Sequence, residues 1–233
     1  MYFTHICDRL SDEQYIGIAV GRTRHGNMHA GIAYRWAGNL YLYHQAFHFD
    51  TRLEDFAGAL TELGGATLVV RVSVPRDRQK AIAGLFNDIG KINPKFPYSL
   101  RLDPGSRVDE TLGRLITKDG IGLSCVTFVL AMFQSAKIQL VDSSTWPIGR
   151  SADLDAQQSL VRLLEGRASA EHVQAVREEV GCTRVRPEEI AATACYLAWP
   201  VSFPCAEAPS LHLLWQIAKL VDLPSWSLYP EAQ

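Results

Sequence analysis

The chain has 233 residues, of which 47% are hydrophobic and 21% charged, and its formal net charge at pH 7 is -2. This composition is typical of a globular protein, and the length is sufficient for a full hydrophobic core in one domain, with or without an appendage. The near balance of 25 acidic and 23 basic side chains excludes the basic footprint of a nucleic-acid-binding domain, so no nucleic-acid partner is expected.

Targeting features and cysteine usage favour a reducing compartment. No apolar run is long enough to predict a transmembrane segment, and residues 1–8 lack the basic and apolar regions of a secretory signal peptide. We therefore expect a cytoplasmic protein, or one exported without a cleavable signal. Five cysteines without a C-x-x-C pair are typical of reduced thiols, and the His and Cys spacings predict no metal site and no cofactor.

The first half of the chain is rich in predicted strands. Residues 15–20 form a short apolar strand, and a polar loop follows over 21–27. The runs 29–35 and 40–44 flank a Gly-Asn turn signal and predict a hairpin. Residues 67–74 are almost continuously apolar and β-branched, which is typical of a strand buried on both faces.

Helices dominate the remainder of the chain. Apolar residues at three- and four-residue steps predict a helix over 76–89, and Pro94 and Pro97 break the next segment before an extended piece at 98–102. A mostly apolar helix follows over 124–136. Beyond Pro147, we predict helices over 153–164, 170–180, 187–198 and 211–221. The chain thus divides into an α+β core at 1–145 and a helical extension at 146–233 that packs on this core.

Cys125 lies at the first position of the apolar helix, with Ser124 as its predicted N-cap. A helix N-terminus stabilises a thiolate and leaves backbone N–H groups that can bind an oxyanion. Gly120 and Gly122 allow the preceding chain to approach closely. The alternative is that Cys125 is a small buried hydrophobic residue.

His29 and His44 are the candidate base and orienting group. If the hairpin turn is centred on residues 36–37, these two histidines lie directly opposite each other with Cβ atoms about 5 Å apart. His48 is the alternative third residue if the turn is wider. A lone histidine on a strand is more often structural than catalytic, so the spacing leaves both roles open.

Residues 29–34 (HAGIAY) and 40–46 (LYLYHQA) resemble the histidine hairpin of NlpC-type papain-like amidases and peptidases. The order, with the histidine hairpin before the cysteine helix, resembles the circularly permuted branch that includes lecithin retinol acyltransferase-like and bacterial cysteine peptidase-like proteins. The intervening strand, helix and Pro97-Tyr98 segment are also similar. The resemblance covers roughly residues 15–137 and does not extend to the C-terminal helices.

The resemblance implies an antiparallel papain-like sheet packed on the helix that bears the nucleophile. It makes Cys125 the nucleophile, His29 the base and His44 the orienting residue. The Tyr98 hydroxyl is a candidate oxyanion or substrate-binding donor, and its alternative role is core packing. The sequence departs from the family in a longer hairpin connection, in Ser124 where Asp or Asn is common, and in the long loop at 102–123.

Three functions are consistent with these residues. The first is a cysteine amidase or peptidase acting on a peptide or peptidoglycan-type amide bond. The second is an acyltransferase or thioesterase acting on lipid or acyl substrates, although such relatives often carry a membrane anchor and none is visible here. The third is a non-catalytic binding module. A thiolate paired with an imidazolium predicts that iodoacetamide modifies Cys125 at pH 6–7 before the other cysteines.

Overall fold

A six-stranded antiparallel sheet organises the structure, a computed structural model that describes residues 6–7, 16–62 and 66–221. Residues 1–8, for which no signal peptide is expected, therefore lie outside the described residues except for Ile6 and Cys7. The strand order is β1-β6-β2-β3-β4-β5. The strands are β1 (Ile6–Cys7), β2 (Ile16–Arg22), β3 (Met28–Trp36), β4 (Asn39–Phe47), β5 (Asp50–Asp55) and β6 (Thr67–Arg71).

The β3–β4 hairpin turns one residue later than predicted. Ala37 and Gly38 both have positive φ angles, of 49° and 85°, as a two-residue type I′ turn requires. Trp36 therefore pairs with Asn39, and Ile32 with Tyr43. The prediction that His29 and His44 lie directly opposite each other is wrong, because this register offsets them along the strands.

Strand β5 has no counterpart among the predicted elements. It follows a tight turn at His48–Phe49, in which Phe49 has a φ of 52°, and it pairs with β4 along the edge of the sheet. Its sequence, DTRLED, is mostly charged because an edge strand exposes much of its surface to solvent. Apolar alternation, the signal used to predict strands, is consequently absent.

The helices cover both faces of the sheet and extend beyond it. They are α1 (Phe56–Glu62), α2 (Arg76–Ile92), α3 (Cys125–Ser135), α4 (Ser151–Leu164), α5 (Ala170–Glu178), α6 (Pro187–Thr193) and α7 (Phe203–Leu220). A small ribbon of β7 (Arg107–Val108) and β8 (Leu115–Ile116) precedes α3, and a 3-10 turn spans Ser143–Thr145. No helix in the described part of the chain is long and apolar enough to cross a membrane.

Two helix boundaries differ from the predicted ones by five residues or more. Helix α6 ends at Thr193, five residues before the predicted end at 198. Helix α7 begins at Phe203 rather than at 211, and it contains Pro209 in its interior. Proline lacks the backbone N–H of the helical ladder and is normally a helix breaker, so the sequence predicted a start beyond it.

The main core crosses the predicted division at residues 145 and 146. Helix α3 packs on β3 and β4, while α6 contacts β2 and β3 on the same side of the sheet. Buried side chains from both segments form one cluster, which includes Ile18, Ile32, Phe128, Ile190 and Leu213. Helix α1 covers part of the opposite face. The C-terminal helices thus help to bury the helix that bears Cys125.

A close backbone contact fixes the loop that leads into α3. The Leu123 N–H donates to the Pro97 carbonyl oxygen at 2.8 Å. A Cβ atom placed on Gly122 would lie 2.1 Å from the same oxygen, far inside van der Waals contact. Only glycine fits here, and the contact holds the start of α3 against the Pro97–Tyr98 segment.

We predict that Gly122→Ala lowers the free energy of unfolding by about 2–3 kcal/mol, because the new methyl group forces the loop away from Pro97. Urea denaturation measures this change. Gly58→Ala is the matched control, since nothing lies within 4 Å of its Cβ position and alanine is the better helix former by about 0.5–1 kcal/mol. An unchanged stability of Gly122→Ala would contradict the contact.

Candidate active site

Cys125 opens helix α3, as predicted, and Ser124 is its N-cap. The Ser124 Oγ accepts the Thr127 N–H at 3.2 Å, and the Thr127 Oγ1 accepts the Ser124 N–H at 2.7 Å. This capping box orders the first turn of the helix. The thiol therefore lies at a helix N-terminus, partly exposed, beside backbone N–H groups that have no partner within the helix.

Burial opposes ionisation of the thiol. Burial raises the pKa of Cys125, and this effect exceeds the opposing one of the Ala30 N–H, the Arg184 charge and the N–H groups of Val126 and Cys125. The expectation that the helix N-terminus lowers the thiol pKa is therefore wrong. The interaction with the Ala30 N–H nevertheless places the sulfur against strand β3, at the residue that follows His29 in the chain.

A chain of hydrogen bonds joins two imidazoles to a carboxylate. The His29 Nε2 lies 2.8 Å from the His44 Nδ1, and the two rings meet edge to face. The His44 Nε2 lies 3.1 Å from Glu54 Oε2. Because a carboxylate only accepts, His44 carries its proton on Nε2 and accepts at Nδ1 from the Nε2–H of His29. The Nδ1 of His29 is then a lone-pair acceptor.

The His29 imidazole is neutral at neutral pH. Burial lowers its pKa well below the ordinary value of 6.5, and the nearby charges of His44 and Arg52 add to this effect. In the part of the chain that the structure describes, no hydrogen bond uses the Nδ1 of His29 or joins this ring to the Cys125 sulfur. The Cys125 thiol and the His29 imidazole are consequently both neutral at neutral pH.

Gly31 allows His44 to approach the β3 strand. A Cβ atom at Gly31 would lie 2.9 Å from the Cβ of His44, which is closer than side chains tolerate. The ring of His44 is almost fully buried, with 4% of its surface exposed. The offset register and this glycine together bring His44 diagonally across the hairpin to His29.

Glu54 is the site residue that the sequence did not reveal. Its hydrogen bond to His44 lowers its pKa below the ordinary value despite partial burial, so it is ionised at neutral pH. No strand is predicted at residues 50–55, so the proximity of Glu54 to His44 is not expected from the sequence. The alternation of Asp50, Arg52 and Glu54 directly after the hairpin was the available signal.

His48 lies apart from the His29–His44 pair. Its Nδ1 accepts the Tyr98 N–H at 3.1 Å, so it supports the segment beside Cys125 rather than His29. Tyr98 is 6% exposed. Burial, together with negative charge on Cys125, raises the pKa of the Tyr98 hydroxyl. The phenol therefore stays protonated and lies within electrostatic reach of the sulfur.

The described residues contain no group of three or more His, Cys, Asp or Glu side chains that could hold a metal ion. Comparison of the chain with models of known protein families, with curated proteins and with solved structures found no match. The chemistry must therefore be inferred from the residues of this site.

Glu54→Gln tests the hydrogen-bond order in the site. A glutamine presents either its oxygen or its amide group to His44, so we expect both neutral tautomers of His44 and of His29 to become populated. Long-range ¹H–¹⁵N NMR spectra of the imidazoles measure this. Asp50→Asn is the matched control, because Asp50 binds Arg52 at 2.7 Å and not His44. Unchanged tautomers in Glu54→Gln would disprove the assigned order.

The raised pKa of the Cys125 thiol makes its rate of alkylation depend on pH. Since only the thiolate is alkylated, we expect the iodoacetamide rate at Cys125 to rise about tenfold per pH unit through neutrality, with no plateau below about pH 8.5. Exposed Cys205 should react first at pH 7. Peptide mass spectrometry follows each site, and Cys125→Ser identifies the peptide. A plateau below pH 7 would instead indicate a thiolate–imidazolium pair.

Proposed function

We propose that this protein is a cysteine amidase or peptidase with a circularly permuted papain-like arrangement, in which Cys125 is the nucleophile and His29 the base. The observation that carries the proposal is the Glu54–His44–His29 hydrogen-bond chain, together with a thiol at a helix N-terminus that interacts with the N–H of Ala30, the residue after His29. A nucleophile, a base and a group that orients the base are the components of covalent acyl transfer. The histidine hairpin before the cysteine helix supports the permuted order.

The first step is acylation of the thiol. The Cys125 sulfur attacks the carbonyl carbon of the substrate while its proton passes to the Nδ1 of His29. The new charge on His29 is stabilised through His44 by the ionised Glu54. Backbone N–H at Cys125 and the Tyr98 hydroxyl donate to the oxyanion. The C–N bond then breaks as His29 returns its proton to the leaving amine.

The second step is hydrolysis of the thioester. His29 removes a proton from water, the resulting hydroxide attacks the thioester carbonyl, and the carboxylic acid leaves as the sulfur regains its proton. Because both thiol and imidazole are neutral at rest, proton transfer accompanies the attack rather than preceding it. Protonation of His29 in acid removes the base, so activity should fall as the pH decreases.

The resemblance to NlpC-type enzymes supports an amide of a peptide or of peptidoglycan as the substrate. A fatty-acyl adduct on Cys125 would instead favour an acyltransferase or thioesterase. A site that never acylates would favour a non-catalytic binding module. The acyl-enzyme is therefore the species that separates these three functions.

We expect hydrolysis of peptidoglycan fragments or peptides, followed by amine release, to fall to background in Cys125→Ala. His29→Ala should reduce the rate by about 10²–10⁴-fold, the usual contribution of a general base. Asp50→Asn should retain activity, because Asp50 lies outside the hydrogen-bond chain. Mass spectrometry of quenched reactions should detect an acylated Cys125. Hydrolysis that survives Cys125→Ala would contradict the proposal.

A further inference from the structure

Two imidazoles bind the main chain of Tyr98, one at its N–H and the other at its carbonyl oxygen. The Nδ1 of His48, in the turn after β4, accepts the Tyr98 N–H at 3.1 Å. The Nε2 of His172, on helix α5, bonds to the Tyr98 carbonyl oxygen at 2.8 Å. The two rings also contact each other, with centroids 4.6 Å apart. We call His48 and His172 the Tyr98 clamp.

The clamp requires one protonation state. A carbonyl oxygen only accepts, so the Nε2 of His172 carries a proton. The backbone N–H of Tyr98 only donates, so the Nδ1 of His48 is unprotonated and this ring is neutral. A proton on this nitrogen would set two donors against each other at the Tyr98 amide.

The clamped segment lies directly against the chain that carries the nucleophile. Pro97 binds the Leu123 N–H, and the carbonyl carbon of Tyr98 would lie 3.1 Å from a Cβ atom on Gly122. The Tyr98 ring packs on Phe47 with centroids 5.3 Å apart, close to His48 in the chain. Movement of the Tyr98 backbone would therefore displace its hydroxyl relative to Cys125.

We infer that His48 and His172 are positioning residues, which hold the Tyr98 hydroxyl where it stabilises the oxyanion at Cys125 and release it when His48 is protonated in mild acid. This inference rests on the proposed function, which supplies the oxyanion. It also gives helix α5 of the C-terminal extension a direct part in the active site. Acid would then act at two places, the clamp and the base His29.

Among the charged groups around the clamp, His172 has the main effect on the pKa of His48. Burial and the charge of His172 lower the pKa of His48. Asp50 and Arg52, next along the same hairpin, pair with each other. Arg167 stacks on Phe47, and Glu179 accepts from the Leu100 N–H. The folded-state pKa of His48 is depressed, so the clamp is intact at neutral pH and is lost as the pH falls below the ordinary histidine range.

The clamp can be tested by NMR without any enzymatic assay. In the wild-type protein, we expect the backbone amide shift of Tyr98 to titrate together with the His48 ring between pH 4 and 7. His48→Asn keeps an acceptor oxygen near the position of Nδ1 but cannot be protonated, so this titration should disappear. A Tyr98 amide shift that stays constant while His48 ionises would overturn the inference.

Two probes of Cys125 separate positioning from general thiol reactivity. Acylation by p-nitrophenyl acetate passes through an oxyanion, whereas alkylation by iodoacetamide does not, and both depend on the thiolate fraction. We expect His48→Ala and His172→Ala to lower the ratio of acylation to alkylation rates about tenfold, as loss of one hydrogen bond allows. Tyr98→Phe should lower it at least as much.

The conservative variants give the control and the pH signature. His172→Gln retains an N–H donor and His48→Asn retains the acceptor, so both should restore the ratio if they fold, as thermal melting will establish. In the wild-type protein the ratio should fall in mild acid, and in His48→Asn it should not. An unchanged ratio in the alanine variants would overturn the inference, whereas failure of Cys125 to acylate at all would refute the proposed function and leave the amide titration to decide on the clamp.

Discussion

The hydrogen bond between His29 and His44 is the interaction on which the candidate site depends. Two neutral imidazoles bond only when one donates and the other accepts, and nothing within the pair decides which. The Glu54 carboxylate decides it, because it accepts the remaining proton of His44 at 3.1 Å. His29 therefore donates its Nε2–H to the His44 Nδ1 at 2.8 Å, which leaves the Nδ1 of His29 as an acceptor. A carboxylate on an edge strand thus sets the tautomer of an imidazole two strands away.

Burial opposes the ionisation of both Cys125 and His29. It raises the pKa of the Cys125 thiol and lowers the pKa of His29, so both groups are neutral at rest despite the helix N-terminus beneath the sulfur. Desolvation penalises each charged form by more than the backbone N–H groups recover. A reaction at this site consequently depends on proton transfer during the attack, and on groups such as Glu54 that stabilise the imidazolium once it forms.

The C-terminal helices take part in both the core and the site. Helix α6 is buried against the sheet, and its residues share a cluster with α3. Helix α5 contributes His172, which reaches the carbonyl of Tyr98. Glu179, which follows α5, accepts the N–H groups of Leu100 and Arg101. The segment from Tyr98 to Arg101 therefore takes its conformation from residues about 80 positions later in the chain, where the resemblance to known enzymes does not extend.

The sequence alone determined the features that depend on local chemistry. Ser124 before an apolar run predicted the start of α3 at Cys125, and alternation around the Gly-Asn signal predicted the hairpin that carries His29 and His44. Only the tertiary structure decided which residues complete the site. The turn position depended on positive φ angles at Ala37 and Gly38, and Glu54 lies on a charged edge strand without apolar periodicity. The pKa of Cys125 depends on how much protein surrounds the thiol, and burial of this kind results from contacts between segments distant in sequence, which no local pattern encodes.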